Sequence, residues 1–186
     1  MNLVVEAFDA AKAYYGLKNA GNGGFDCGHA VINKFVASSL KQGVRANNYS
    51  AFALVDLDKV DGGKNPFLVG FYTMAMGEIV SDSLKAKGAT GLTPRVACLK
   101  LLMLGVDLEY QGRKQKGLQC GSRLMKHALG RARVACEDLG GRGMYLDADP
   151  GALNFYLGLG FDPLEPADPS KPTPMFLFRE MIPAGI

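Results

Sequence analysis

The stretch Arg95–Val106 (RVACLKLLMLGV) limits the fold of this chain more than any other. After Arg95 its one charge is Lys100. A run this apolar suits a strand buried on both faces, which places it inside a sheet covered by other elements. A loop rich in Gly, Lys and Gln follows at 111–121. Leu124, Met125, Ala128, Leu129, Ala132, Ala135, Cys136 and Leu139 then recur at helical spacing, until Gly140-Gly141 stops the helix. Met144–Ala148 reads as the next strand. Strand, helix and strand in this order form a crossover unit whose two strands run parallel.

The rest of the chain supplies further strands and helices. Residues 2–8 read as a strand, and residues 9–24 run into the loop Gly21-Asn22-Gly23-Gly24. Asp26 is a candidate N-cap for an amphipathic helix carried by Ile32, Phe35, Val36 and Leu40 and running to about Gly43. Ala51–Leu57 and Phe67–Val80 read as strands, separated by an Asp61-Gly62-Gly63 turn. Residues 81–94 read as an irregular connection and 162–174 as a proline-rich loop. Ala152–Leu159 reads as a short helix ended by Gly160, and Met175–Met181 as a last strand. The expected class is α/β, a mixed sheet with a parallel pair at its centre, flanked by helices. Its 186 residues fit a single domain spanning 1–186, with no role assigned to residues 1–24.

Composition removes several function classes. A net charge of +3 is too mild to mark a dedicated nucleic-acid binder, so the position of the charges has to decide. Cys27, Cys98, Cys120 and Cys136 are scattered, and His29 and His127 are the two histidines, so no metal site is expected. Free thiols in a reducing compartment are expected instead of disulfides. The N-terminus lacks the basic start and apolar run of a signal peptide, and no stretch reaches the length of a membrane span. A soluble, cytoplasmic protein is the expectation.

The chemistry is expected where the apolar strand hands over to the helix. Amides at a helix start point outward with the positive end of the helix dipole, and together they bind anions. Glycines let a ligand approach the backbone, and Arg113, Lys114 and Lys116 add positive charge suited to phosphates. The loop matches neither GxxxxGK[ST] nor GxGxxG, which disfavours nucleotide hydrolysis and dinucleotide binding.

The segments Val106–Gly112, Lys116–Gly121 and Ser122–Met125 together resemble the pyrophosphate loop of GCN5-related N-acetyltransferases (the GNAT family). Ala152–Phe161 (ALNFYLGLGF) is similar to that family's closing signature, A-x-x-F-Y-x-x-x-G-F. Phe25-Asp26-Cys27-Gly28-His29, Val69–Met74 and the proline-containing linker before the apolar strand resemble the toxin branch of the family. The resemblance covers roughly residues 25–182. It implies a GNAT fold, with a mixed sheet of about six or seven strands, splayed at its centre. It also implies acetyl-coenzyme A (acetyl-CoA) as cosubstrate, the α-amine of an aminoacyl-tRNA as acceptor, arrest of translation, a ribbon-helix-helix antitoxin and a homodimer. A small-molecule or protein amine as acceptor, and a coenzyme A-binding module without catalysis, stay open beside it.

By the same resemblance, Leu104 and Val106 offer main-chain hydrogen bonds to the pantetheine arm. The Leu104 N–H faces the thioester oxygen. Gly112, Arg113, Lys116, Gly117, Gly121 and Ser122 meet the pyrophosphate. Tyr156 is the general acid. The family's pattern Q/R-x-x-G-x-G/A falls on Lys116–Gly121, where Gln119 stands in a glycine slot. Either the loop shifts register onto Gly117 or affinity drops. The apolar strand carries no carboxylate, so Glu78 and Glu109 are left as bases acting through water. An α-amine, with a pKa of roughly 7.7–8.0, needs a base far less than a lysine near 10.4, which favours the α-amine. Arg123, Lys126, His127, Arg131 and Arg133 form a candidate basic face for tRNA phosphates; Lys41 and Arg45 are the only basic residues after the first helix. His29 and His127 are not expected to be catalytic. Cys120 is a candidate oxidation-sensitive thiol.

Overall fold

The computed structural model describes residues 2–17, 20–22, 24–61, 65–112 and 118–185. The strands are β1 (Leu3–Ala7), β2 (Ser50–Asp61), β3 (Asn65–Val80), β4 (Arg95–Val106), β5 (Gly143–Ala148), β6 (Asp162–Pro163) and β7 (Thr173–Phe178). The helices are α1 (Ala30–Ser38), α2 (Leu40–Arg45), α3 (Asp82–Lys85), α4 (Cys120–Leu139) and α5 (Leu153–Leu157). The strands form one seven-stranded sheet in the order β1-β2-β3-β4-β5-β7-β6. Pairing is antiparallel from β1 to β3 and from β5 to β6, and parallel between β4 and β5, as the crossover unit requires.

The chain divides into two compact units, Met1–Met74 with Met103–His127 and Ala75–Leu102 with Ala128–Ile186. In the first, Phe25 and Leu40 pack with Phe8, Tyr14, Leu17, Val36, Val55, Leu68 and Phe71. The segment after β1, left without a role by its sequence, therefore belongs to this core. Lys41 and Arg45 hold it in place: Lys41 Nζ donates to the Lys12 carbonyl at 2.9 Å and Arg45 Nη2 to that of Ala10 at 3.1 Å. Both cations are thus engaged with the chain's own backbone. In the second unit, Leu84, Val96, Cys98 and Phe176 form a smaller core, against which Leu92 and Tyr145 pack. The 81–94 connection contributes α3 and these apolar contacts, so it is more ordered than its composition implies.

The first predicted helix is broken in two at Ser39. The Tyr49 hydroxyl donates to the Ser39 carbonyl at 3.0 Å, and a Cβ at Gly43 would lie 2.0 Å from that hydroxyl. A tyrosine lying across α2 therefore requires the glycine, and its hydroxyl is a second donor to a carbonyl that also accepts the Gly43 N–H at 2.9 Å. Asp26 is not the N-cap. His29 holds that position without a side-chain bond, and Asp26 accepts from the Gly28 N–H at 2.8 Å and from Asn33 Nδ2 at 2.6 Å. β4 is not buried on both faces throughout: Arg95, Ala97 and Leu102 are exposed.

Candidate active site

The C-terminal half of β4 is built by close approach. A Cβ at Gly105 would meet Ile32 and Phe71 at 3.1 Å and Phe25 at 3.3 Å, so glycine brings this strand tight against the core. β4 pairs with β5 only over Leu99–Leu101 against Met144–Leu146, although β4 runs on to Val106. Leu104, half-buried, and Val106, buried, lie in this continuation, which has no β5 partner among the described residues. Main-chain groups on such a continuation are open to a ligand that adds as a strand would. The Val106 carbonyl already accepts from Gln111 Nε2, which also donates to the Cys27 carbonyl at 3.2 Å.

Asp107 anchors the turn that follows. Its buried carboxylate accepts from the Glu109 N–H and from the Asp26 N–H, both at 2.9 Å. Its own N–H donates to the Val69 carbonyl at 2.8 Å, and the Leu108 N–H donates to the Asp26 carbonyl at 2.7 Å. Burial pushes the Asp107 carboxyl above the usual range, while the two amide bonds pull it back. The loop leading to α1 and the end of β4 are thereby fastened to one another. Nothing local marked Asp107 for this role, since one of its partners lies 81 positions away.

Beyond Tyr110 the chain turns at Gly112, exposed and with φ 72°. Arg113, Lys116 and Gly117 lie outside the described residues. Gln119 has φ 45°, the left-handed conformation that favours glycine, in the slot where the family pattern places a glycine. Its backbone keeps the shape the slot demands while its side chain does not match. The Gln119 carbonyl accepts the Arg123 N–H at 2.9 Å, closing the first turn of α4. Gly121 and Ser122 fall inside that turn, half-buried, where amides have no earlier carbonyl to bond and can face an anion. Cys120 is buried, and burial pushes its thiol up, so it is not the reactive thiol its loop position implied.

In the second unit, Tyr156 sits on α5 with 8% of its surface exposed. Its ring meets Phe155 at 5.2 Å and Phe161 at 5.8 Å, both edge-on. Burial first, and the Asp149 charge second, push the phenol up to about 12. The hydroxyl takes no hydrogen bond from the described residues. A buried, protonated phenol whose hydroxyl has no partner among the described residues is available to donate a proton to a ligand.

The other candidates are placed elsewhere. Glu78 pairs with Arg95, and Glu109 pairs with Lys59 at 2.7 Å, so both proposed bases are exposed and engaged. His127 leaves the basic face: its Nδ1 is 2.7 Å from the Tyr72 hydroxyl and its ring 5.0 Å from that of Phe52. Arg133 bonds the Ile182 carbonyl and pairs with Glu137 at 3.0 Å. Arg123, Lys126 and Arg131 remain exposed along α4. Among the described residues no group of His, Cys, Asp or Glu could hold a metal, and no helix is long and apolar enough to cross a membrane.

No protein-family model matches the chain. It is 30% identical over 118 residues to a tRNA-acetylating toxin of Mycobacterium tuberculosis (strain ATCC 25618 / H37Rv), an alignment covering 59% of this chain and 68% of the relative. A solved bacterial toxin superposes with a TM-score of 0.83 at 31% identity, over 97% of this chain and 93% of its own. AtaT complexed with acetyl-methionyl-tRNAfMet superposes with a TM-score of 0.77 over 97% of each chain; at 23% identity it shows the shared fold.

Proposed function

This chain belongs to the family of the tRNA-acetylating toxins, within the GCN5-related N-acetyltransferases, and from that membership we propose that it moves the acetyl group of acetyl-CoA onto the α-amine of an aminoacyl-tRNA and so arrests translation. The observation that carries the reading is Tyr156, a buried phenol held protonated and with no hydrogen-bond partner for its hydroxyl among the described residues, inside the signature that closes the family's fold.

The residues present fit acetyl-CoA. The continuation of β4, which has no β5 partner among the described residues, suits the amide-rich pantetheine arm, and the first turn of α4 suits a diphosphate. Acetyl-CoA supplies the activated acetyl group; the chain supplies the rest. Leu104 and Val106 hold the arm through main-chain groups, and the Leu104 N–H stabilises negative charge on the thioester oxygen. Val106 has one carbonyl lone pair left beside the Gln111 bond. Gly112, Arg113, Lys116, Gly117, Gly121 and Ser122 hold the pyrophosphate. The acceptor nitrogen bonds the acetyl carbon as the carbon–sulfur bond breaks. Tyr156 gives its proton to the departing sulfur, and the proton that the acceptor nitrogen sheds as it becomes an amide passes to solvent and restores the phenol.

No internal base is needed for an α-amine, a fair share of which is already neutral at pH 7. The engaged state of Glu78 and Glu109 agrees with that choice of acceptor over a lysine or another strongly basic amine. The whole chain acts as one acetyltransferase domain in the cytoplasm, as a homodimer held in check by a ribbon-helix-helix antitoxin. A translation extract tests this. Protein with acetyl-CoA should halt synthesis, whereas protein alone, or the Tyr156→Phe variant with acetyl-CoA, should not. Undiminished synthesis with both components present refutes it.

A further inference from the structure

Three side chains in the second unit have no part in the chemistry described so far: Lys100 on β4, and Tyr145 and Asp147 on β5. Lys100 and Tyr145 are register partners on the two parallel strands, so their side chains leave the same face of the sheet. Lys100 Nζ lies 5.1 Å from the centre of the Tyr145 ring. The Tyr145 hydroxyl donates to Asp147 Oδ1 at 2.6 Å. A cation and an anion thus flank one phenol. Among the described residues Lys100 makes no ion pair with Asp147 or with any other carboxylate.

The placement of these charges is unusual for a sheet. β5 is an inner strand, paired on both sides, yet Asp147 is exposed within it. Asp147 directly follows Leu146, the last β5 residue paired with β4, so it stands where β5 parts from that strand. Tyr145 joins the apolar cluster that also holds Leu84 and Leu92 of the 81–94 connection. The arrangement is also held in shape. A Cβ at Gly77 would come 2.7 Å from the Lys100 stem, so glycine on β3 lets that stem lie across the strand and carry its ammonium toward Tyr145. Burial and the neighbouring Asp147 keep the Tyr145 phenol protonated, and therefore a donor.

We propose that Lys100, Tyr145 and Asp147 form the acceptor-binding floor, on which Asp147 receives the amino group of the aminoacyl end and Lys100 the phosphodiester beside it. This assignment rests on the aminoacyl-tRNA reading and deepens it. Opposite charges held apart on a shared phenol match a ligand that carries its own cation and anion a short distance apart. The charged 3′ end of a tRNA is such a ligand, with an α-ammonium in equilibrium with the neutral amine and a backbone phosphate one nucleotide away. A simple primary amine would use Asp147 but leave Lys100 unmatched.

The test uses the full-length protein, bulk tRNA charged with mixed amino acids, and acetyl-CoA. Asp147→Asn should raise the KM for charged tRNA roughly tenfold or more, the effect of losing a hydrogen bond between charged groups. Its affinity for acetyl-CoA, read by calorimetry, should stay within about twofold, the least that separates an acceptor effect from a cofactor effect. Lys100→Gln should flatten the dependence of log kcat/KM on log salt by about 0.7, the release expected for one single-strand phosphate, over about 50 to 200 mM salt. Lys100→Arg should restore the slope, which a purely structural lysine would not explain. If Asp147→Asn does not fold, the two Lys100 variants decide alone. An active wild type with unchanged KM and salt slope in the variants overturns this assignment and leaves the aminoacyl-tRNA reading standing. A wild type that leaves every charged tRNA unacetylated overturns both.

Discussion

In the proposed mechanism the described part of the β4–α4 junction offers the cosubstrate main-chain amides and carbonyls, whereas α5 offers a single side chain. The junction needs a backbone shape, and several sequences can supply one. Gln119 illustrates this: it takes the left-handed conformation of the family's glycine while carrying a long side chain. The proposed general acid has to be a phenol at one place on α5, packed by Phe155 and Phe161. Binding by backbone tolerates drift in sequence, and proton transfer by a side chain does not.

The widest separation between the two regions should appear in Tyr156→Phe. Turnover should fall about 10²-fold or more, the size common for a general acid, with acetyl-CoA affinity unchanged in a calorimetric titration. Parallel losses in affinity and turnover would erase the division of labour. The pH profile sharpens the same point. The phenol's folded pKa, about 12, lies above its ordinary 10.0, so it is protonated below both values and ionises only as pH rises through the higher one. Turnover should therefore climb as the acceptor amine loses its proton near pH 8 and hold level past pH 10. A decline beginning at pH 9–10 would assign the proton to another group.

Asp107→Ala probes the anchor of the junction. It leaves two amides that Asp107 now satisfies, and should cost about 2 kcal/mol of stability in denaturant unfolding. A change under about 0.5 kcal/mol, ordinary for a surface site, would mean that the turn after β4 does not depend on it. Gln119→Gly should raise stability by about 1 kcal/mol by relieving the left-handed conformation, seen as a higher Tm. A loss of stability would show that the glutamine side chain holds the loop. The smallest effect belongs to Thr73→Val. The Thr73 hydroxyl is buried without a partner among the described residues, so its removal in the same shape should be neutral or stabilising by less than about 1 kcal/mol.

The fold was readable in the sequence where periodicity spans many residues. The β4–α4–β5 crossover and the strands on either side of it appear within a few positions of their predicted limits. Contacts between distant segments were not readable. The helix breaks at Ser39, where Tyr49 folds back over α2, and Asp26 forms an Asx turn with Gly28 and also meets Asn33. His127 looks like an outward cation on its helix until Tyr72, 55 positions earlier, takes it inward. Residues 8–20 carry no motif, yet Phe8, Tyr14 and Leu17 complete a core whose other members are spread along the chain. For the candidate site, the motif pointed to Tyr156 and the first turn of α4 as candidates. The exposed charge of Asp147 on an inner strand became visible only with the sheet order in hand.

Mass spectrometry of tRNA charged in vitro, after incubation with the purified protein and acetyl-CoA, tests the central claim most directly. The account predicts one acetyl group on the α-amine of the esterified amino acid, present with the wild type and missing with Tyr156→Phe. Charged tRNA recovered without an acetyl group, while the same preparation acetylates a free amine or a peptide, would contradict it.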